Sequence, residues 1–302
     1  MKAPSKQITE ARLDSDIYPV YGSPKLDGYC CLCENGAFTS TLKPIGNEFI
    51  RRILSNPIYN GLHGEIVIGP PNHPDAFNRT TGPVRAKDGK PNFKLYVFDN
   101  FTNTKLSYGE RYENLAGRCA VSIPFVELLP QVILKNKKEV RHFEKGCIDL
   151  GYEGAMIRTL WAPYKEGRCT DKEGYIWKLK PTEDAEGVIV GFYEKLKNNN
   201  EAFANELGLT RRSSHRENKE GAGTTGGFLL RTTTKGLPWT GQIIRCGAAA
   251  NMKVDELWYI WTHKDEFMGR TGTYKYQAVG SIDLPRQAIW KGFRNKDDIT
   301  EF

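Results

Sequence analysis

"KLKPTEDAEG", residues 178–187, is where the chain changes character. Just before it, "GYIWKLK" reads as a strand, and Lys178 and Lys180 share one of its faces because strand side chains repeat every two residues. Beyond it, "GVIVGFYEKL", "GGFLLRTTTKGLPWTGQIIRCG", "YKYQAVGSIDL" and "AIWKGFR" are strand-like runs separated by glycine-rich turns. That spacing predicts a small β-barrel. The boundary falls near residues 181–184 and divides the chain into residues 1–181 and 182–302. A length of 302 residues suits two domains.

The first part mixes strands and helices. "YCCLCENGAFTST" holds two apolar runs around Asn35-Gly36, a strong hairpin signal. "HGEIVIG", "FKLYVFDNF" and "EGAMIR" read as further strands. "NEFIRRILSN" has apolar residues spaced for one helix face, with Asn47 as its N-cap. "PFVELLPQVILKNKKEVRHFEKGCIDLG" reads as strand or helix pieces interrupted by Pro130, then a helix ending near Gly151.

Composition excludes several classes. Hydrophobic residues make up 39% and charged residues 26%, values of a folded chain with a sizeable core. No apolar run approaches membrane-spanning length, and the N-terminus lacks the apolar region of a signal peptide, so a cytoplasmic location is expected. A formal charge of +7 is compatible with a polyanionic partner without demanding one. The seven cysteines are expected to be reduced thiols. Cys30, Cys31 and Cys33 cluster, but no second close pair closes a zinc site, and alternation in "YCCLC" places small apolar side chains on a buried strand.

The chemistry begins at Lys25 in "PKLDG". A neutral lysine amine is a good nucleophile, but an unperturbed one is almost wholly protonated at pH 7. A Lys-x-Asp-Gly string arises by chance in roughly one chain of this length in fifteen and is by itself as compatible with a surface turn. Its company decides the reading. Glu65 lies inside "HGEIVIG", Phe98 inside "LYVFDN", and Glu153 heads "EGAMIR". Lys178 and Lys180 follow, and Arg286, Lys291 and Arg294 lie near the end. Singly, these carboxylates read as solvated strand ends, Phe98 as core, and the two lysines as an exposed face. In this order they supply a nucleophilic lysine, further cations, carboxylates for a divalent metal and an aromatic platform for a base.

The ordered set resembles the covalent nucleotidyltransferases, and within them most of all the compact ATP-dependent DNA ligases of bacteriophages. "PKLDG", "LKPIGNEFI", "GYEGAMIR", "PYKEGR", "KLKPTEDAEGVIVGF", "NEAFANELGLTRRSSHRENK" and "GFRNKDD" carry the resemblance over nearly the whole chain. It implies an α+β fold: a nucleotidyltransferase (adenylation) domain with antiparallel sheets, followed by an all-β OB-fold barrel that binds DNA. It also implies the sealing of nicks in duplex DNA during replication, repair and recombination, by a monomer, with ATP and Mg²⁺ or Mn²⁺. Lys25 would attack the α-phosphate of ATP to give lysyl-AMP. The AMP would pass to the 5′-phosphate of the nick, and the 3′-hydroxyl would then displace it.

The resemblance also assigns roles. Lys178 and Lys180 would contact the α-phosphate and lower the pKa of Lys25. Asp27 would sit near nucleophile and metal, Glu65 would hold the ribose, Phe98 would stack on adenine, and Glu153 would serve metal and phosphate chemistry. Asp27, Glu65 and Glu153 are the implied metal carboxylates. Arg168 would handle phosphates, while Arg286, Lys291 and Arg294 would close over ATP and orient the pyrophosphate.

Three positions depart from the pattern. Cys30 and Ser40 stand where the phage ligases carry arginines, and His63 stands where they carry aspartate before the Gly-Glu pair. Two lost arginines remove charge-assisted contacts worth about 1.5–3 kcal/mol each in a protected site. These losses motivate one alternative, a degenerate nick-binding protein. An RNA ligase of the same superfamily is the other. A capping guanylyltransferase fits less well, and an NAD-dependent ligase lacks its zinc cysteines here.

Overall fold

The computed structural model describes residues 1–204, 208 and 210–294, so parts of "NEAFANELGLTRRSSHRENK" and "GFRNKDD" lie outside the described residues. The chain forms two compact units, Met1–Lys180 and Pro181–Phe302.

The first unit is built on two sheets. One has four antiparallel strands in the order β7-β1-β8-β9: β1 (Val20–Lys25), β7 (Val132–Leu134), β8 (Gly154–Thr159) and β9 (Ile176–Leu179). The other has five strands in the order β3-β2-β4-β5-β6: β2 (Tyr29–Cys33), β3 (Ala37–Phe38), β4 (Leu62–Ile68), β5 (Phe93–Asn100) and β6 (Val126–Leu128). The hairpin around Asn35 joins β2 and β3, with Asn35 at φ 48°. One pairing departs from the antiparallel expectation: β5 and β6 run parallel. The reason is helix α4 (Tyr108–Cys119), which carries the chain back across the sheet between them, the crossover that a parallel pair requires.

Helices cover one face of each sheet. Helix α1 (Glu10–Leu13) and helix α5 (Lys137–Asp149) pack Leu13, Val140 and Cys147 against Val20, Ala155, Ile157 and Trp177 of the four-stranded sheet. Helix α2 (Glu48–Leu54) and α4 bury Ile50, Leu54 and Leu115 against Cys31, Leu62, Ile66 and Val97 of the other, and helix α3 (Ala76–Arg85) adds Val84. Asn47 caps α2 through the Ile50 N–H at 3.0 Å, satisfying one of the donors a helix start leaves open. Cys31 and Cys33 are fully buried, as alternation in "YCCLC" predicts. All seven cysteines are free, and among the described residues no three His, Cys, Asp or Glu side chains gather to hold a metal.

The second unit is a closed five-stranded barrel in the order β10-β13-β14-β16-β15: β10 (Thr182–Asn198), β13 (Lys219–Thr232), β14 (Ile243–Gly247), β15 (Thr271–Gln277) and β16 (Arg286–Phe293). A short pair, β11 (Ala202–Ala204) and β12 (Thr210–Arg212), stands between β10 and β13. Phe228, Leu230, Tyr274 and Trp290 fill the barrel, and helices α6 (Val254–Thr262) and α7 (Lys264–Phe267) add Ile260 and Phe267 to that core. A five-stranded barrel with a helix between its third and fourth strands in chain order is OB-fold architecture. No helix among the described residues is long and apolar enough to cross a membrane.

Candidate active site

Lys25 ends β1, directly opposite Gly154, the first residue of β8. That register sets Glu153 beside it. The Lys25 ammonium forms an ion pair with Glu153 Oε2, and Lys180 Nζ reaches the other carboxylate oxygen, Oε1, at 3.4 Å. Two glycines beside this pair allow backbones to approach closely. Gly28 has room only for hydrogen, since a Cβ there would lie 2.4 Å from the Ile66 carbonyl. Gly154 has φ 148°, and a Cβ on it would lie 2.1 Å from the Leu179 carbonyl.

Around Lys25 opens a cleft of about 250 Å³, walled by both sheets of the first unit. Ser23, Pro24 and Lys25 come from β1, and Met156, Arg158, Ile176 and Lys178 from β8 and β9. Cys30, His63, Glu65 and Phe98 come from β2, β4 and β5, while Leu26, Ser40, Leu129, Arg168 and residues 1–3 complete the wall. Lys2, Lys25, Arg158, Arg168 and Lys178 face one lining carboxylate, Glu65. The walls are apolar beside Phe98, Met156 and Ile176, uncharged at Cys30, Ser40 and His63, and cationic at Lys2, Lys25, Arg158, Arg168 and Lys178, the combination that suits a flat base joined to phosphates.

The titration of Lys25 differs from expectation. Burial alone would push the Lys25 ammonium down, but the Glu153 carboxylate, with Glu65 and Asp27 beyond it, outweighs burial and holds the pKa above its ordinary value. Lys178 and Lys180 therefore do not set its direction. Glu153 moves the complementary way: burial would raise it, and Lys25 and Lys180 bring it below the ordinary carboxylate value. Lys178 is lowered by burial and by the charges of Lys180, Lys25 and Arg168.

Glu65 is pushed from 4.5 to about 7, chiefly by burial and further by Glu153 and Asp27, against the opposing pull of Lys25. Its native form holds a proton more tightly than the unfolded chain. Its contribution to stability is therefore complete below pH 4.5 and is lost as pH rises through about 7. Glu65→Gln is expected to melt above wild type at pH 8 and to lose that advantage at pH 5. Calorimetric scans at the two pH values check this, and an advantage independent of pH would contradict it.

Beneath the cleft lies a buried charge cluster. Asp99 accepts from Arg111 Nε at 2.8 Å on one oxygen, and from Arg111 Nη2 at 3.3 Å and Arg158 Nη1 at 2.9 Å on the other. The Arg158 guanidinium carbon lies 4.9 Å from the Phe98 ring centroid, and the His63 ring lies 4.8 Å from it. His63 Nε2 is 3.5 Å from Cys30 Sγ, and its Nδ1 is 3.2 Å from the Tyr164 hydroxyl. Burial, reinforced by the neighbouring positive charges, pushes His63 well below its ordinary value, while burial pushes the Cys30 thiol up to about 12. Two of the three departures, Cys30 and His63, are thus a neutral contact pair, and Cys30 is not a reactive thiolate.

The first unit brings together Lys25, Glu65, Phe98, Arg168 and Lys178 around the cleft, with Glu153 bonded to both Lys25 and Lys180 and Asp27 within electrostatic reach of Lys25. The carboxylates of Asp27, Glu65 and Glu153 all act on Lys25 without forming a ready metal cage among the described residues. Such a set fits an ion that keeps several waters and takes its other ligands from phosphate, as Mg²⁺ does. Arg286, Lys291 and Arg294 belong to the second unit, where Lys291 pairs with Asp184 and Arg294 Nε lies 2.7 Å from Glu186. The sequence reading passes over Lys2, Met156, Arg158 and Ile176. Alternation along β8 from Gly154 marks Met156 and Arg158 as sharing a face, whereas nothing local marks Lys2.

No family profile matches the chain. A stretch of 140 residues, 45% of the chain, is 27% identical to a DNA ligase of African swine fever virus, and it spans only 32% of that protein's length. Among solved structures, a Chlorella virus DNA ligase-adenylate is 23% identical and superimposes with a TM-score of 0.53 over 97% of this chain and 98% of its own. A structure from the Lig E DNA ligases is 20% identical, with a TM-score of 0.71 over 97% and 98% of the two chains. At these identities the likeness establishes the fold alone: an α+β unit of the nucleotidyltransferase type of fold followed by an OB-fold barrel.

Proposed function

We propose that this chain is an ATP-dependent DNA ligase of the compact viral type, sealing nicks in duplex DNA through a lysyl-AMP intermediate. The observation that carries the reading is the arrangement of Lys25, Glu153 and Lys180 beside a cationic cleft that Phe98 lines. The sequence likeness to a viral DNA ligase supports it.

In the first step the Lys25 amine forms a bond to the α-phosphorus as the bond to pyrophosphate breaks, and its proton leaves. In the resting state that proton sits on the Lys25 ammonium against the Glu153 carboxylate, which is the group positioned to receive it. Lys178 and Lys180 offset the charge that builds on the α-phosphate oxygens. Phe98 stacks on the adenine, Glu65 takes the ribose hydroxyls, and Arg168 takes an outer phosphate. Asp27, Glu65 and Glu153 would hold Mg²⁺ (or Mn²⁺), which when bound supplies positive charge to the polyphosphate. The barrel binds DNA, and its terminal Arg286, Lys291 and Arg294 orient the pyrophosphate. In the second step the AMP moves to the DNA 5′-phosphate, and in the third the 3′-hydroxyl displaces it. The enzyme acts as a cytoplasmic monomer in replication, repair or recombination.

The test uses wild-type protein, Mg²⁺, α-labelled ATP or GTP, and a nicked duplex with DNA or RNA strands at the nick. Label from ATP is expected to stay on the protein under denaturing conditions, and sealing is expected to favour DNA. Label only from GTP, preferential sealing of RNA, or nick binding without label would each overturn the assignment.

A further inference from the structure

Residues 1–3 enter the cleft as an anchored backbone segment. The Lys2 N–H donates to the Gly167 carbonyl at 2.8 Å, and the Cys169 N–H donates to the Lys2 carbonyl at 2.8 Å. Arg168 Nη1 donates to the Ala3 carbonyl at 2.8 Å. Met1 packs with Cys169 and Ile176 in a small buried cluster. These contacts hold Lys2 on the wall that also carries Lys25, Cys30 and Lys178.

The cations at the cleft are either paired with a carboxylate or not, and Arg158 is among the paired ones through Asp99. Lys25 and Lys180 share the Glu153 carboxylate. Lys2, Arg168 and Lys178 have no carboxylate ion pair among the described residues. The charge of Arg168 is felt by both Lys2 and Lys178, so the three belong to one array. Half-burying like charges together disfavours each of them, and an anion bound among them relieves that cost. Lys2 also lies within electrostatic reach of the neutral Cys30–His63 pair, on the stretch of wall where those two side chains supply no charge.

We propose that Lys2 is a substrate-binding residue whose ammonium takes a phosphate oxyanion, from the nucleotide's polyphosphate or from the 5′-phosphate of the nick. The assignment rests on the ligase reading and extends it to a residue outside the motifs that carry that reading. An ammonium binds phosphate as a point charge, so arginine at the same place preserves most of the contact.

The experiment compares wild type with Lys2→Met, Lys2→Arg and Lys6→Met, the last removing an exposed lysine from the same segment. One arm measures lysyl-AMP formation against ATP concentration, and the other measures binding of a nicked duplex against salt. Lys2→Met is expected to raise the ATP requirement about tenfold, or to weaken nick binding and reduce its salt slope by about one. Lys2→Arg is expected to restore most of the loss, and Lys6→Met to match wild type. A defect confined to the ATP arm assigns the anion to the nucleotide, and one confined to the second arm assigns it to DNA. Lys2→Met equal to wild type in both arms, or no worse than Lys6→Met, would overturn the assignment. Wild type that forms no lysyl-AMP would instead sink the ligase reading itself.

Discussion

Lys25→Ala, incubated with α-labelled ATP and Mg²⁺, is expected to carry no label through denaturing electrophoresis, and Lys25→Arg is expected to be equally blank. The arginine variant keeps a cation opposite Glu153 but offers no amine that can lose its proton, so it separates loss of the ion pair from loss of the nucleophile. Both proteins should fold, since Lys25 belongs to neither apolar core and Lys180 still partners the Glu153 carboxylate in its absence. The pH profile carries the mechanism further. Only the neutral amine attacks, and Glu153, with Glu65 and Asp27, holds the Lys25 pKa above its ordinary value. Single-turnover lysyl-AMP formation should therefore rise with pH throughout the range around neutrality. Glu153→Gln removes the strongest of those anions, so its profile should shift toward lower pH even as its maximal rate falls. Label retained by Lys25→Ala would end the nucleophile assignment. A Glu153→Gln profile with wild-type pH dependence would show that the carboxylate does not govern the proton.

Local signals in this sequence translate well into structure, and non-local ones do not. Asn47 caps a helix because a side chain can satisfy a donor three residues away, which is visible in a short window. The "YCCLC" alternation reports burial directly, and the strand-like runs that follow "KLKPTEDAEG" all lie in the unit Pro181–Phe302. Helix α6 is hidden because "VDELWYIWT" is rich in aromatic and β-branched residues, which favour strands until the barrel core receives Ile260. The parallel pairing of β6 depends on a helical crossover rather than on its own three residues. In the site, strand alternation marks Lys178, but Lys2 reaches the cleft only through a bridge to Arg168 some 166 positions away. The raised pKa of Lys25 is likewise invisible in "PKLDG", since the deciding carboxylate lies 128 residues on.

Asp99→Asn is expected to destabilise the first unit more than any other single change discussed above. Asp99 and Arg111 are 0% and 1% exposed, and Arg158 is nearly as buried. One carboxylate thus serves two guanidiniums. Arg111 keeps carbonyl partners at Leu106 (2.6 Å) and Ala162 (3.0 Å), but these offset its charge only in part. Removing the carboxylate charge leaves two buried cations facing each other, and breaking a buried pair in this way costs about 3–5 kcal/mol. For a unit of this size that corresponds to a melting temperature lower by roughly 10 °C. Arg158→Met acts in the opposite sense on charge balance. It leaves Asp99 and Arg111 as a one-to-one pair and removes the excess cation, so its cost should be well under half as large. Combined with Asp99→Asn, it should recover part of the loss, because the two changes share one network. Urea titrations of the three variants test the order, and equal losses for the two single changes would refute the excess-charge account. The cluster also links stability to chemistry. Arg158 contacts the Phe98 ring and lines the cleft, so a folded Arg158→Met protein should require more ATP for lysyl-AMP formation while its nucleophile, and hence its maximal rate, stays intact.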